Sequence, residues 1–408
     1  MDASVQPARR ARMIFIFATI AIDSIGLGII IPVLPDVIRR FIADEGGVSR
    51  AYGWFIATYA LLQFLASPLL GALSDRFGRR PVLLVSLFGA AVDYLFMAFA
   101  PSLLLLWIGR LISGLTGASF TVASAYVADI SDDTNRSKNF GMIGAGFGLG
   151  FILGPAIGGA ISGWGPQYAF LAAGAFNLLN FVFGLFVLPE SLPPERRRRV
   201  TAAALSPLRA LTKVLSFPAI RALVIVNTLV AFASQTHPSI WTLYTQHRYG
   251  WTPRQVGLSL TVVGVLNALT QGGLTGVLVK RFGERRIVVV GTFAQAIAFT
   301  LFAFAAEPWM LYAVLCGSAV LWSVGPALQS LISREVEPDK QGELQGALMS
   351  LMSLTSIANP LIMTSVFALT SQRGSGIYFP GSPYVLAGFD FLCAWFVALS
   401  WSRSRQAV

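Results

Sequence analysis

Charge is scarce in this chain. Asp, Glu, Lys and Arg make up 12% of its 408 residues, about half the globular norm of roughly 25%, while hydrophobic types make up 55%. Water is therefore not its main solvent, and no large soluble domain fits beside the apolar runs. Cysteine is almost missing: Cys316 and Cys393 both sit within apolar runs, which supports neither a disulfide framework nor a metal site. No glycine-rich loop runs into Lys-Ser or Lys-Thr, which excludes ATP as an energy source within this chain. Nothing supports an enzyme, and no bound cofactor is expected. Any uphill movement must then draw on a gradient.

What is present is a series of apolar runs bounded by Pro, Gly or charge. A bilayer crossing takes about 20 apolar residues. Twelve crossings fit, at 13–37, 52–73, 81–100, 102–128, 140–163, 167–189, 217–244, 255–279, 287–306, 308–333, 344–370 and 384–401. The formal charge of +11 suggests a nucleic-acid partner until the basic residues are placed. With the N-terminus inside, 23 of the 30 Lys and Arg fall in cytoplasmic segments. Arg39, Arg40, Arg50, Arg248, Arg254 and Arg373 fall outside, and Arg110 falls within a span. That bias is the positive-inside pattern of a membrane protein with both termini cytoplasmic, so the partner is the lipid bilayer and not nucleic acid. The first 35 residues imitate a secretory signal, but no small-x-small cleavage site follows, and they read as an uncleaved first span.

Between spans six and seven, 190–216 holds Pro193, Pro194 and the run Arg196 to Arg199, the one interior stretch that reads as a hydrophilic linker. It divides the chain into 1–189 and 217–408, six spans each. Gly71-Ala-Leu-Ser-Asp-Arg-Phe-Gly-Arg-Arg80 recurs as Gly276-Val-Leu-Val-Lys-Arg-Phe-Gly-Glu-Arg285, an offset of 205 residues. The same offset relates Asp129 to Arg334 and Gly141 to Gly346. Three matches in register argue for duplication, and two six-helix pseudo-symmetric bundles around a substrate cavity are a transporter plan.

At these residues the sequence resembles the major facilitator superfamily along essentially its whole length. The segment Gly71 to Arg80 resembles that superfamily's loop signature. Gly150-x-x-x-Gly154-Pro155-x-x-Gly158-Gly159 is similar to its antiporter motif, which marks exporters. Asp23-x-x-Gly26-x-Gly28-x-x-x-Pro32-x-x-Pro35, with Asp93, Arg110-Leu-Ile-Ser-Gly-Leu-Thr-Gly-Ala118 and Tyr378-Phe-Pro-Gly-Ser-Pro383, resembles the tetracycline efflux subgroup. The resemblance implies a monomeric, multi-pass protein of a bacterial inner membrane. It would exchange protons for a small-molecule drug, cargo that is a Mg2+ chelate in this subgroup. Two positions depart from the subgroup's pattern: Asn267 stands where a histidine is expected and Gln295 where an aspartate is expected, and both departures remove titratable groups. Two other readings stand beside it, an exporter or uniporter of another small metabolite and a non-transporting membrane sensor.

An ionisable group inside a span costs several kcal/mol and marks a functional candidate. At 1.5 Å per residue Asp23 lies about 15 Å deep, close to the midplane. Asp93, about 20 Å above the inner surface, shares a depth with Arg110, about 12 Å below the outer one, and Asp390 lies about 9 Å in from the outside. Asp23 is read as a proton carrier or as half of a static Asp23–Arg110 pair. His237 precedes Pro238, which removes a backbone hydrogen bond within span seven. The proton-coupling candidates are thus Asp23, Asp93, Arg110, His237 and Asp390, with a helix-packing hydrogen bond as the alternative for Asp93, a structural histidine for His237 and a snorkelling carboxylate for Asp390. Gln63, Asn227, Asn267, Gln271, Gln295 and Trp322 are candidates to line the cavity, each with helix packing as its alternative. In the loop, Gly71, Asp75, Arg76, Gly78, Arg79 and Arg80, with Asp129 and Arg136, read as a latch: basic side chains reach Asp129 while Asp75 meets a helix N-terminus.

Overall fold

The computed structural model describes residues 5–117, 119–132, 135–197, 220–337, 340–372 and 376–404. Residues 198–219, which take in most of the expected linker and the first three residues of the expected span seven, lie outside the described residues. Among the described residues all regular structure is helical, as chains in lipid require when no water satisfies the backbone. Eleven helices there are long and apolar enough to cross a membrane.

Span one is α1 (Val5–Ile30), followed by a turn at 31–33 and the short α2 (Leu34–Ile38). Span two is α3 (Glu45–Phe77) and span three α4 (Arg79–Phe99). Span four is split into α5 (Leu103–Thr116) and α6 (Ser119–Ile130), and α7 (Arg136–Ile161) and α8 (Pro166–Val187) complete the first half. The twelfth expected crossing, span seven, consists of two 14-residue helices in series, α9 (Arg221–Ser234) and α10 (Thr236–Tyr249), broken at Gln235. The cause is Pro238: it has no N–H to bond Ser234, so the helix cannot run through. Span eight is α11 (Pro253–Leu269), a π-helical turn at Thr270–Leu274 and α12 (Thr275–Phe282); span nine is α13 (Glu284–Phe304). Span ten is α14 (Pro308–Ser318), a 3-10 segment at Ala319–Ser323 and α15 (Val324–Arg334). The last two are α16 (Gln341–Thr370) and α17 (Ser382–Ser404).

The interruptions recur with the duplication. The break of span four at Gly117 lies 205 residues before Trp322 in the 3-10 segment of span ten, and Pro155 inside α7 lies 205 residues before Pro360 inside α16. Gly78 and Gly283 end α3 and α12 with φ of 109° and 75°, a region open to glycine, and each lets the chain turn into the next span.

The helices form two compact units. One comprises Met1–Phe41, Thr58–Ser206 and Thr252–Gly264; the other comprises Ile42–Ala57, Pro207–Trp251 and Val265–Val408. In the first, α1 packs most extensively on α7. A side chain added at Gly154 would lie 2.7 Å from the Gly28 Cα and the Ile25 carbonyl, and one at Gly150 2.8 Å from the Ala21 carbonyl. The glycines at every fourth position thus let two backbones touch, which is how helices associate where lipid offers no hydrophobic drive. Gly158 continues the seam against Ile29, whereas Gly159 faces Pro253 and Gly257. Phe15, Ile16, Leu83, Val122 and Tyr126 close the basic-rich end of this unit as one buried cluster. In the second unit α13 and α9 pack on α17, and α9 and α10 on α16.

Candidate functional site

The intramembrane charges of the first unit converge. Asp23, one turn before Gly26 on α1, accepts a hydrogen bond at Oδ2 from the Ser119 hydroxyl at 2.8 Å. Ser119 opens α6 just beyond the interruption of span four. Before that break the Gly117 carbonyl, freed from regular helix bonding, accepts from Gln63 Nε2 at 3.0 Å. Gln63 Nε2 also lies 3.3 Å from the Tyr59 hydroxyl. The Arg110 guanidinium stands 5.0 Å over the Tyr59 ring, and its Nη1 pairs with Asp93 Oδ2 at 3.7 Å. Asp93 is fully buried and Arg110 is 5% exposed. Five helices therefore contribute to two sets of polar groups, Asp23 with Ser119 in one and Gln63, Tyr59, Arg110 and Asp93 in the other. Asp23 meets a neutral hydroxyl, whereas Asp93 meets the guanidinium that compensates its charge.

Tyr59 and Ser119 were not singled out from the sequence. A neutral polar residue in an apolar run costs too little to be conspicuous, although Tyr59 and Gln63 stand four apart and so share one helix face. Asn180, also missed, donates to the Thr19 carbonyl at 3.1 Å and ties α8 to α1.

In the second unit His237 sits in a box of rings. Phe299, Phe302, Trp241 and Tyr384 have centroids 4.7, 4.8, 5.3 and 5.4 Å from its own, and the Tyr384 hydroxyl is 3.4 Å from Nδ1. The broken backbone beside it is served by Asn359, a residue the sequence did not flag. Its Nδ2 donates to the Phe232 carbonyl at 2.6 Å and to Thr236 Oγ1 at 3.1 Å, and its Oδ1 accepts from Ser239 at 2.8 Å. One side chain thus bonds groups on both sides of the break.

Four of the neutral candidates, Asn267, Gln271, Gln295 and Trp322, lie in spans eight to ten. Gln271 Nε2 donates to Asn267 Oδ1 at 3.2 Å, and both side chains are exposed. The π-helical turn that carries Gln271 is joined to the 3-10 segment carrying Trp322: Thr270 donates to the Ala319 carbonyl at 3.2 Å and Thr275 meets Ser323 at 3.0 Å. Gln295, 5% exposed, donates to the Leu321 carbonyl of that segment at 3.3 Å. Asn227 is half-buried on α9, away from these contacts, and Asp390 lies on α17 with one carboxylate oxygen buried and without a hydrogen bond. Among the described residues no three His, Cys, Asp or Glu side chains gather into a metal-binding group.

The loop between spans two and three is locked to the end of its own half. Arg79 Nε donates to Asp129 Oδ2 at 3.1 Å, and its Nη1 lies 2.6 Å from both Asp75 Oδ1 and Ser74 Oγ. Asp75 thus has its partner within the loop. Glu190, unremarked in the sequence, accepts the Arg79 and Arg80 backbone N–H groups at 2.8 and 3.2 Å, capping the start of α4. Ser191 adds a hydrogen bond to Asp129 at 3.0 Å, and Arg80 Nη2 donates to the Leu185 carbonyl. Gly71 has no neighbour within 4 Å of an added side chain, and Arg76 and Arg136 are exposed.

A sequence model described as the Major Facilitator Superfamily matches residues 16–360 and 223–404. The tetracycline resistance protein, class C, of Escherichia coli is 42% identical over 90% of this chain and 92% of its own length. The class G protein of Vibrio anguillarum is 39% identical over 90% and 93%. Among solved structures, a bacterial homolog to the human lysosomal transporter Spinster, inward-facing and unoccupied, superposes with a TM-score of 0.79 at 16% identity, covering 97% of each chain. A D-xylose-proton symporter gives 0.74 at 18% identity over 94% and 96%. At those identities the likeness concerns the fold.

Proposed function

The chain belongs to the Major Facilitator Superfamily, and we propose that it is a proton-coupled efflux antiporter that exports a small amphipathic drug of the tetracycline kind by alternating access. It acts as a monomer in a bacterial inner membrane, driven by the proton gradient, with both termini in the cytoplasm. The observation that carries the reading is the contrast between the two intramembrane carboxyl groups of the first unit, Asp93 buried and Asp23 half-buried.

Asp93 and Arg110 compensate one another, at 3.7 Å. Asp23 is held by a hydroxyl, at 2.8 Å. A hydroxyl serves both states of a carboxyl group, donating to the carboxylate and accepting from the acid. Asp23 therefore keeps its partner through a protonation cycle, and the Asp23, Asp93 and Arg110 group alternates between one net negative charge and none. A cationic Mg2+ chelate of the drug, in which the metal is cargo, competes with a proton for that charge. Binding of either favours release of the other, which is the exchange an antiporter performs.

A second reading, movement of another small metabolite, is favoured by Asn267 and Gln295, which stand where the subgroup has titratable groups. Both are tested by reconstituting the full chain in liposomes with an internal pH dye and adding tetracycline with Mg2+, for the wild type and Asp23→Asn. The antiport reading expects drug-triggered proton flux that falls to background in the variant. Drug movement without proton flux in either protein sinks it and leaves facilitated diffusion; no response to tetracycline, with proton flux on another compound, favours the second reading.

A further inference from the structure

In the second unit a cleft of about 340 Å3 opens between spans eight, nine and ten. Leu278 and Phe282 of α12, Val290 and Gly291 of α13, and Leu321 and Val324 opposite them form apolar walls, and the lining includes one charged side chain, Arg286. The cleft opens outward, since Val290 is 57% exposed and Phe282 46%. Its volume lies at the small end of the roughly 300–1,000 Å3 range of ligand pockets. Water does not suit it, because an ordered water needs two to four polar partners.

The two ends of the cleft differ in chemistry. Arg286 stands in the first turn of α13, and the Arg281 guanidinium lies 5.6 Å over the ring of Phe282, itself a wall residue. Two cations therefore frame the mouth beside the Gly283 turn, at the basic-rich ends of the spans. Val290 is four residues further along α13, about 6 Å deeper. This is the order of groups in one leaflet, charge at the headgroup level and hydrocarbon beneath. An acyl chain fits the walls, and a phosphate fits the two guanidinium groups. Paired cations also discriminate between headgroups: a zwitterionic lipid brings an ammonium towards them, and an anionic one does not.

We infer that this cleft is a binding site for an anionic phospholipid, with one acyl chain between spans eight, nine and ten and its phosphate on Arg286 and Arg281. The duplication supplies an internal contrast, because the position corresponding to Arg286 in the first half is Pro81, which carries no charge.

The test is native mass spectrometry of the full-length protein released from micelles holding equal amounts of dioleoylphosphatidylglycerol and dioleoylphosphatidylethanolamine. The wild type retains one phosphatidylglycerol in preference to phosphatidylethanolamine. Arg286→Gln lowers that retention about tenfold, the loss of one charge-assisted hydrogen bond. Val290→Trp fills the mouth while leaving both arginines in the chain and lowers retention to a similar degree. Arg196→Gln, which removes a cation of the segment between the halves, changes nothing. The inference is overturned if the wild type holds both lipids equally, a comparison that needs no variant. It is also overturned if Arg196→Gln acts like Arg286→Gln, or if a monodisperse Val290→Trp protein retains phosphatidylglycerol as before.

Discussion

In the first half a buried ion pair, Asp93 with Arg110, joins α4 to α5; 205 residues on, the corresponding positions hold Ala298 and Leu315, both buried. At the basic-rich ends the duplicated pair survives with its polarity reversed. Arg79 and Asp129 meet at 3.1 Å in the first half, and their counterparts Glu284 and Arg334 at 2.7 Å in the second. Each pair even keeps a serine: Ser74 on Arg79 and Ser330 on Glu284. Gly154, where α7 touches α1, corresponds to Asn359, which braces the break of span seven. Duplication has kept where a contact is made and left free which group makes it. Within the membrane, the first half carries an ion pair where the second carries apolar side chains.

The largest effect is expected from forcing the second half's solution on the first. Arg110→Leu strands Asp93 in a buried site and should cost about 3–5 kcal/mol, read as a lowered unfolding midpoint in detergent. Adding Asp93→Ala restores the apolar pair found at Ala298 and Leu315 and should recover most of that stability. If proton-coupled export stays lost in the stable double variant, the pair serves transport and not only packing.

Next comes the brace. Asn359→Ala removes three hydrogen bonds at a break that cannot satisfy itself and should lower stability by about 1–3 kcal/mol, with faster amide exchange confined to 232–239 as the specific sign. Exchange rising evenly along span seven would refute the bracing role.

Smaller effects separate the two latches. Asp129→Asn, in a pair whose side chains are 10% and 20% exposed, should cost about 1.5–3 kcal/mol as a charge-assisted contact is lost. The corresponding Arg334→Gln should cost no more than about 1 kcal/mol, because the Arg334 side chain is 69% exposed. Exchanging the second pair, Glu284→Arg with Arg334→Glu, gives it the first half's polarity and should leave stability unchanged, as urea titration in detergent would check. A double exchange worse than either single change would mean that polarity itself matters there.

The spans, the duplication and the three membrane charges of the first half were legible because each violates an average: long runs without charge, a motif repeated at one offset, ions where ions are costly. His237-Pro238 marked the break in span seven for the same reason. Partners were not legible. That Arg110 meets Asp93, that Asp23 meets Ser119 and that Glu190 caps α4 depend on which helices adjoin, and a serine or a carboxylate at a span's end looks ordinary in a linear reading. Asn359 was hidden because asparagine between apolar neighbours says nothing of the carbonyl it serves more than a hundred residues away.

Glu190 carries a consequence for how the protein is made. The groups it caps, Arg79 and Arg80, precede it by 111 and 110 residues, and Ser191 follows it onto Asp129. On the ribosome these bonds cannot form until all six spans of the first half have been synthesised. Until then Arg79 has only its bonds to Ser74, Asp75 and Asp129 to hold the turn between spans two and three, and the cap on α4 is added with the completed half.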